Sequence, residues 1–394
     1  MVRSPLREVK PPIPAGATLG VMGGGQLGAM FAMAARRLGY RVEAISDVAD
    51  CPAALHADRV HVVPDADATA LERIAAGLAA VTFEFENVPV EAARAMAAVV
   101  PCRPAPEVLF TTQDRAREKA FLVRHGFACA PHRTVRSREQ LHAAVAALGL
   151  PAVLKTAAFG YDGKGQRKLE SPPDVDAAWD ALGPAECVVE GWVDYDCEIS
   201  VVAARGQSGD VAVFEPSRNV HSRHILDVSS APSGLPQPVL EEARDVTARI
   251  LEALGVVGVA CVEFFVTRSG AVLVNEIAPR PHNSGHLTIH ACETSQFEQQ
   301  VRALCGLPLG SVFQRAPAAM ANLLGDCWAG GEPDWPAALA VPGVSLMLYG
   351  KSDPRPGRKM GHLTALAPTV EEAITNVTRA RALACLRGAN VPFA

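Results

Sequence analysis

The chain has 394 residues, 49% of them hydrophobic and 20% charged, and its formal net charge is -5 at pH 7. This length predicts two or three domains, and the large apolar fraction excludes a disordered chain. No basic block stands out, so we expect no nucleic acid partner, and an anionic substrate would need local basic residues. No apolar run approaches a membrane span and the N-terminus has no apolar signal core, which predicts a cytoplasmic protein with no membrane contact.

Ten cysteines are scattered at irregular spacing, and no CxxC pair occurs among them. Several lie inside apolar runs, such as Cys261 in Val-Ala-Cys-Val. Zinc sites and disulfide frameworks have more regular spacing, so we expect buried, reduced thiols.

The N-terminal part predicts a loose tail followed by an α/β domain. Residues 1–17 contain four prolines and no hydrophobic periodicity. Strands are predicted at residues 18–22, 41–45 and 81–85, and a helix at residues 29–38. Such alternation predicts a parallel sheet with helices on both faces, and a proline-rich break at residues 101–106 predicts the end of this domain.

The motif Gly23-x-Gly25-x-x-Gly28 follows the first strand and matches the dinucleotide-binding fingerprint. Asp47, near the end of the second strand, has the position of a ribose-binding acid. One interpretation is therefore a nicotinamide cofactor site. The favoured interpretation is a tight strand–helix turn that faces the phosphate of another ligand.

A second pattern combines a strand lysine with a glycine-rich loop. A helix is predicted at residues 114–125, a strand runs from Ala152 to Lys155, and the loop spans Gly160 to Gly165. Flexible glycines let backbone N–H groups fold over polyphosphate oxygens, and the lysine adds a fixed positive charge. Taken alone, the pattern also fits a hairpin turn with a solvated lysine.

Glu263 and Glu276 lie in two apolar strands that we expect to form a hairpin around residues 268–270. Carboxylates in such strands need a cation or hydrogen-bond partners. Two of them beside a phosphate loop predict a magnesium site, with manganese also possible. The alternative is a pair of outward-facing acids on an edge hairpin.

The loop after Glu276 is densely polar. Arg280 can hold a developing anion, and three histidines follow at four-residue spacing: His282, His286 and His290. This spacing could form a metal face, but Gly285 interrupts it. Helix capping and substrate hydrogen bonds are therefore the favoured interpretation.

Near the C-terminus, Lys351 and the run Arg355-Pro-Gly-Arg358-Lys359 place cations on a proline- and glycine-rich loop. Such a loop can bind a phosphate monoester, or it can be a solvated basic turn. Strands near residues 320–324 and 344–348 and a helix at residues 370–386 complete the predicted C-terminal region.

In combination these features resemble the ATP-grasp pattern, with a strand lysine, a glycine loop and two glutamates, the second preceded by asparagine. Several segments resemble the N5-carboxyaminoimidazole ribonucleotide synthase family more specifically: residues 24–28, 83–88, 160–166, 275–286 and 355–362. The resemblance implies an α/β chain with the ATP-grasp fold. Its implied parts are a tail at residues 1–17, a Rossmann-like pre-ATP-grasp domain at 18–111, an ATP-grasp domain at 112–316 and a small α+β domain at 317–394.

The resemblance also implies a role for each site residue. Asp162 would accept a proton, Arg280 would steady a carboxyphosphate, and Glu263 and Glu276 would bind magnesium. The implied ATP contacts are Arg115, Lys155, Gly160, Tyr161, Asp162, Gly163, Lys164, Gly165, Gln166, Glu190, Gly191, Trp192, Val193, Glu198, His221, Asn275 and Glu276. The implied contacts of a nucleotide acceptor are Gln26, Glu84, Tyr161, Asp162, Asn283, Ser284, Lys351 and Arg358.

The implied reaction is the ATP-dependent carboxylation of 5-aminoimidazole ribonucleotide by bicarbonate in purine biosynthesis, and the resemblance also implies a homodimer. Two other classes stay open at this point. One is another ATP-grasp ligase, such as a formate-dependent glycinamide ribonucleotide transformylase or a biotin carboxylase. The other is a nicotinamide-dependent oxidoreductase, which would use the first glycine motif.

Overall fold

The N-terminal part is a parallel sheet with helices on both faces. The computed structural model describes residues 11–158, 165–182 and 185–385. Its first elements are β1 (Thr18–Met22), α1 (Gln26–Arg37), β2 (Arg41–Ser46), β3 (Arg59–Val62), α2 (Ala68–Ala75), β4 (Ala80–Phe83), α3 (Val90–Ala97) and α4 (Pro106–Thr112). The sheet order is β3-β2-β1-β4, all parallel, as predicted. Leu19 and Val21 pack against α1, whereas Met22 and Phe83 pack against α2 and α3, because successive strand residues point to opposite faces.

A second, antiparallel sheet forms a small lobe, residues 132–191. The chain enters it through α5 (Arg115–Arg124), and the lobe contains β5 (His132–Val135), α6 (Arg138–Leu148), β6 (Ala152–Thr156), β7 (Gln166–Leu169), α7 (Pro172–Leu182) and β8 (Cys187–Gly191). The strand order is β5-β8-β6-β7. Asp114 and Ser137 cap α5 and α6, each accepting a backbone N–H three residues further on.

The rest of the described chain forms a large nine-stranded sheet and five α-helices. The elements of this part are, in chain order, β9 (Tyr195–Arg205), β10 (Val211–Val213), β11 (Ser217–Ser222), β12 (Ile225–Ala231), α8 (Gln237–Leu254), β13 (Gly258–Thr267), β14 (Val272–Ala278), α9 (Thr288–Ala291), α10 (Gln296–Cys305), β15 (Ala318–Leu324), α11 (Trp335–Leu339), β16 (Val344–Leu348), β17 (Lys359–Leu366) and α12 (Val370–Cys385). The order is β14-β13-β9-β11-β12-β15-β17-β16, with β10 beside β9. The strands of the predicted C-terminal region therefore extend the sheet that carries the acidic hairpin.

Two element boundaries in the N-terminal part differ from the sequence prediction by more than one residue. The helix predicted at residues 29–38 already begins at Gln26, because Gly25 has the extended backbone of an N-cap residue. The strand predicted at residues 81–85 ends at Phe83. Phe85 is 42% exposed, so the chain leaves the sheet core directly after this strand.

The prediction that all cysteines are reduced is wrong for one pair. Cys327 and Cys385 form a disulfide across a sequence separation of 58 residues. Their spacing gave no signal, because α12 brings Cys385 back to the end of β15 by packing against β15 and β17. The other eight cysteines are free thiols, seven of them buried. Among the described residues, no helix is both long and apolar enough to cross a membrane.

Candidate active site

Two carboxylates face each other on the hairpin of β13 and β14. Glu263 and Glu276 are register partners, and Asn275 is an extra residue that makes a bulge beside them. Bulges re-aim side chains, and register partners lie on the same face of the sheet. The Glu263 side chain is only 12% exposed. Burial, followed by the charges of Glu276 and Glu198, raises the pKa of Glu263 well above its ordinary value.

This acidic pair fits a divalent cation that completes its coordination with ligands from outside the protein. Crowded carboxylates are stabilised by a positive charge, and oxygen ligands suit magnesium. In the described parts of the chain, no cluster of three or more acidic, histidine or cysteine side chains could hold a metal alone. Two protein carboxylates with phosphate and water oxygens match the way magnesium is bound in ATP-dependent enzymes.

The first two of the three histidines after the hairpin are largely buried. His282 caps the short 3₁₀ helix at Asn283–Leu287 by accepting from the Ser284 N–H, as the capping interpretation predicted. Its Nε2 lies 3.2 Å from Glu263 Oε1. Burial lowers the pKa values of His282 and His286 well below the ordinary value, which favours the neutral form of both rings.

The predicted phosphate lysine forms a buried ion pair. Lys155 Nζ lies 2.8 Å from Glu190 Oε2, because Glu190 pairs with Val153 and therefore shares a face with Lys155. Arg115, at the start of α5, donates from Nη1 to the Thr156 carbonyl at 2.9 Å. Both cations thus lie where β6 runs into the glycine-rich loop.

The glycine-rich loop connects two paired strands. Gln166 pairs with Lys155, and the Gly165 carbonyl accepts from the Thr156 N–H at 2.8 Å. Gly165 has φ +73°, a conformation that favours glycine. The rest of the predicted loop, Gly160, Tyr161, Asp162, Gly163 and Lys164, lies outside the described residues.

The predicted adenine and ribose contacts lie at the end of β8 and just after it, and on β9 and β11. The N–H groups of Gly191 and Trp192 donate to the carbonyls of Pro131 and Pro151 at 2.8 and 3.2 Å. The Trp192 ring is 45% exposed. Val193 follows Trp192 in the chain, and β9 begins at Tyr195.

Glu198 on β9 lies among polar side chains on the face that carries the acidic pair. It accepts from the Tyr195 hydroxyl at 2.9 Å. His221 Nδ1 on β11 is 3.3 Å from Glu198 Oε2 but makes no hydrogen bond to it. Since the charge of Glu198 acts on Glu263, the predicted ribose acid and the predicted metal ligand belong to one site.

The first glycine motif binds a carboxylate of the protein itself. Glu84 accepts from the Gly25 N–H at 2.7 Å and from the Gly28 N–H at 2.8 Å. A Cβ atom at Gly25 would lie 2.5 Å from Glu84 Oε1, so glycine is needed for this approach. Gln26 is the first residue of the same helix. The N–H groups that would face a dinucleotide phosphate are therefore used within the chain.

Glu84 also marks the point where the three predicted domains meet. Burial raises the pKa of Glu84, while its two N–H donors and the charges of Arg280 and Lys351 act in the opposite direction. Glu84, Arg280 and Lys351 come from the N-terminal, central and C-terminal parts of the chain. Their mutual electrostatic effect indicates one shared cleft.

Arg280 forms an ion pair with Glu86, which the sequence prediction did not assign to the site. Burial would raise the pKa of Glu86, but Arg280 lowers it below the ordinary value. Burial likewise disfavours the charged form of Arg280, yet Glu86 raises the pKa of this guanidinium. The pair therefore keeps a charged arginine inside the cleft.

The two predicted acceptor contacts after Arg280 differ. Both amide atoms of the Asn283 side chain are buried without a hydrogen-bond partner in the described structure, which fits a group that awaits a ligand. The Ser284 prediction is not supported. Its fully buried hydroxyl bonds to Ser200 Oγ at 2.6 Å and to His282 Nδ1 at 2.8 Å, so it faces the interior.

The basic residues near the C-terminus lie on a braced turn. Lys351 Nζ donates to the Lys359 carbonyl at 2.7 Å, and Arg358 Nη1 donates to the Asp353 carbonyl at 2.8 Å. The Gly357 N–H donates to Asp326 at 2.8 Å. The Arg358 side chain remains 32% exposed, so its guanidinium is accessible.

Besides Glu86, sequence reasoning missed three charged residues that the structure brings to the cleft. Lys359 was noted only as part of a basic run, but its charge acts on Glu86 and Glu263. Glu118 and Lys119 on α5 were not predicted at all, although both are buried. A signal existed for Glu118, because it stands at helical spacing from the apolar Phe121 and Leu122.

Glu118 is fastened to the metal-site strand. Its Oε2 accepts from the Ile277 N–H at 2.8 Å. Burial raises the pKa of Glu118 to about 8. Its neighbour Lys119 donates to the Asn275 carbonyl at 2.9 Å. The helix α5 is thus bonded to the bulge that carries the acidic pair.

We expect neither NAD nor NADP to bind this chain, because Glu84 already uses the N–H groups of the glycine motif. Titration calorimetry with each dinucleotide should give no heat of binding up to millimolar ligand. Micromolar binding of either one would contradict the prediction and restore the oxidoreductase interpretation.

Comparison with known proteins identifies three consecutive matching domains. An ATP-grasp domain matches residues 120–297, a ribonucleotide synthetase preATP-grasp domain matches residues 16–113, and a phosphoribosylaminoimidazole carboxylase C-terminal domain matches residues 318–376. The predicted fold class, ATP-grasp with a pre-ATP-grasp domain and a small C-terminal domain, is therefore confirmed.

Whole-chain relatives agree with these domain matches. An N5-carboxyaminoimidazole ribonucleotide synthase of Brucella melitensis is 45% identical and one of Bacillus subtilis is 39% identical, with 90% and 92% of this chain and 97% and 95% of those proteins covered. An Aspergillus clavatus N5-carboxyaminoimidazole synthase, solved with ADP and 5-aminoimidazole ribonucleotide, is 29% identical with a TM-score of 0.86, covering 94% of this chain and 98% of that one. This chain belongs to the N5-carboxyaminoimidazole ribonucleotide synthase family of ATP-grasp ligases.

Proposed function

We propose that this chain joins bicarbonate to 5-aminoimidazole ribonucleotide at the expense of ATP, giving N5-carboxyaminoimidazole ribonucleotide, ADP and phosphate. The observation that carries the proposal is the convergence of Glu84, Arg280 and Lys351, from three parts of the chain, beside the Glu263–Glu276 pair. Family membership supports it, and the Aspergillus clavatus relative binds ADP together with the same acceptor nucleotide.

The ATP site lies between the small lobe and the large sheet in this proposal. Lys155 and Arg115 bind phosphates together with the glycine-rich loop. The backbone of residues 190–193 contacts adenine, and Glu198 contacts the ribose with His221 nearby. The ion pairs and exposed ring described above support this arrangement, because they leave charged and aromatic groups along one cleft.

Glu263 and Glu276 would hold magnesium, or manganese, with Asn275 beside them. Bound there, the ion would neutralise negative charge on the phosphates of ATP. The mutual repulsion of the buried Glu263 and the exposed Glu276 supports this assignment.

The chemical problem is that bicarbonate is a poor electrophile, since its leaving group is hydroxide. Transfer of the γ-phosphoryl group of ATP to a bicarbonate oxygen releases ADP and gives carboxyphosphate. The amine nitrogen of the acceptor then attacks the carboxyl carbon, phosphate leaves, and the amine proton passes to a base. Arg280, kept charged by Glu86, steadies the anion, and Asp162 is the proposed base.

The acceptor would lie between the N-terminal helix and the C-terminal turn. Gln26, Glu84, Asn283, Lys351 and Arg358 would bind it, together with Tyr161 and Asp162. The net charge of -5 repels an anionic substrate at long range, so a local cationic group is needed at its phosphate. Cytoplasmic localisation and a homodimer stay predictions.

The first expected result concerns the acceptor. A coupled assay measures ADP formation in the presence of magnesium and bicarbonate. 5-Aminoimidazole ribonucleotide should strongly stimulate this ADP formation. Stimulation by glycinamide ribonucleotide with formate instead would move the chain to the transformylase class. Failure of every acceptor to stimulate ADP formation would contradict the proposal.

Glu276→Gln should lower turnover on the order of a hundredfold or more, because an amide keeps the shape but not the charge of a hard-cation ligand. Steady-state kinetics over a range of magnesium concentrations measure this loss. Glu252→Gln, on the exposed side of α8, is a matched control that should behave like the wild type. Wild-type turnover by a folded Glu276→Gln variant would refute the metal assignment.

Arg358→Ala should raise the KM for 5-aminoimidazole ribonucleotide roughly ten- to a hundredfold, as expected for loss of a charged hydrogen bond of about 1.5–3 kcal/mol. The KM for ATP should hardly change, because the contact is remote from the nucleotide. Arg355→Ala on the same turn is the control, since Arg355 is 68% exposed and pairs with Asp353. An equal rise in both KM values would place Arg358 in the ATP site instead.

A further inference from the structure

One buried lysine connects the small lobe to the large sheet. The side chain of Lys119 on α5 is 1% exposed. Its Nζ lies 2.9 Å from the Asn275 carbonyl on β14 and 3.4 Å from Glu190 Oε1 at the end of β8. A single ammonium group therefore contacts both the bulge beside the acidic pair and the strand that leads to the proposed adenine contacts.

Glu190 is shared by two lysines with different access to the cleft. Lys155 contacts Oε2 at 2.8 Å, and its side chain is 13% exposed. Lys119 contacts Oε1 and is almost completely enclosed. Only Lys155 lies on the strand that runs into the glycine-rich loop. The two ion pairs thus differ in exposure: the Lys155 ammonium lies at the cleft, and the Lys119 ammonium is buried.

The second ion pair matters when the first one is broken. The Glu190 side chain is only 5% exposed, so its carboxylate is strongly disfavoured without a cation beside it. If Lys155 were its only cation, Glu190 would hold Lys155 in place. We propose that Lys119 is a positioning residue that stays on Glu190 and keeps it ionised, which allows Lys155 to leave Glu190 for the phosphates of ATP. This inference rests on the proposed function, in which Lys155 binds those phosphates.

The groups around Glu190 agree with this division of roles. Burial would raise the pKa of Glu190, but Lys155 and Lys119 together lower it to about 2. Glu118, also on α5, directs its Oε2 to the Ile277 N–H. Two further titratable neighbours among the described residues come from the segment before β5 and from β5 itself: Cys129, whose thiol pKa is raised by burial, and His132, the register partner of Glu190. The positive charges that act on Glu190 in the described part of the chain are those of Lys155 and Lys119.

The test uses Lys119→Met and the β,γ-imido analogue of ATP with magnesium, so that binding is measured without turnover. Titration calorimetry in two buffers of different ionisation enthalpy gives the number of protons taken up. The variant should bind at least about tenfold more weakly than the wild type and take up about one additional proton, because Glu190 must be protonated once Lys155 leaves it.

The sign of the pH dependence follows from that proton. In the variant, Glu190 is ionised beside Lys155 before binding and protonated afterwards. The affinity should therefore fall about tenfold for each unit that the pH rises, relative to the wild type. A residue with a merely structural role would weaken binding without adding a proton or changing this slope.

Two further variants separate charge from packing. Lys119→Arg keeps the positive charge and should show no additional proton uptake. The double variant Lys119→Met with Glu190→Gln has no carboxylate to protonate, so it should also lose the additional uptake and bind with a flat pH profile. Additional uptake that persists in the double variant would overturn the inference, and far-UV circular dichroism checks that each variant is folded.

A failure of this inference can be distinguished from a failure of the proposed function. Lys155→Met should bind the analogue more weakly than the wild type. If Lys155→Met binds the analogue as well as the wild type does, or if the wild type does not bind it, the proposed ATP site is wrong. The proposed role of Lys119 is then overturned as well. If Lys155→Met is weakened while Lys119→Met matches the wild type in affinity and proton uptake, only the role of Lys119 is overturned.

Discussion

Repulsion between Glu263 and Glu276 is the constraint on which the site depends. The register of β13 and β14 places both carboxylates on one face, and the neighbouring bulge keeps them there. Because Glu263 is largely buried, little water screens its charge from that of the exposed Glu276. Cations from other parts of the chain, such as Arg280 and Lys359, lie near the pair, and their charges oppose the rise in the Glu263 pKa. An arrangement that is costly within the protein alone is suited to a divalent cation.

Ion pairs between distant segments hold the rest of the cleft. Glu86 and Arg280 are 194 residues apart in sequence, and Lys119 reaches a carbonyl 156 residues further on. Each contact joins elements from different parts of the fold, so the charges that serve the chemistry also fix how those parts meet. Because these groups are buried, removal of one partner would leave an uncompensated charge. The same ion pairs therefore position the parts of the fold and balance the charges in the cleft.

The parts of the site that sequence analysis predicted are those with a local signal. The glycine turn, the acidic hairpin and the basic turn each depend on residues close together in the chain, where periodicity and turn chemistry apply. Glu118 and Lys119 bind partners about 70 to 160 residues away, and their identity depends on how α5 packs. The Cys327–Cys385 bond and the inward-facing Ser284 hydroxyl have the same origin, since tertiary packing selects those neighbours.

The hydrogen bonds from the first glycine motif to Glu84 have a consequence for what such motifs indicate in a sequence. A carboxylate attached to the same chain is present at the helix N-terminus at an effective concentration on the order of millimolar or more. Any free anion must displace this tethered competitor before it can use the same N–H groups. The fingerprint therefore records that a helix end binds an anion, but not whether that anion is supplied by the cell or by the chain itself. An acid that follows a neighbouring strand, 56 residues beyond the motif, can therefore turn an anion site into a contact between two elements of the same chain.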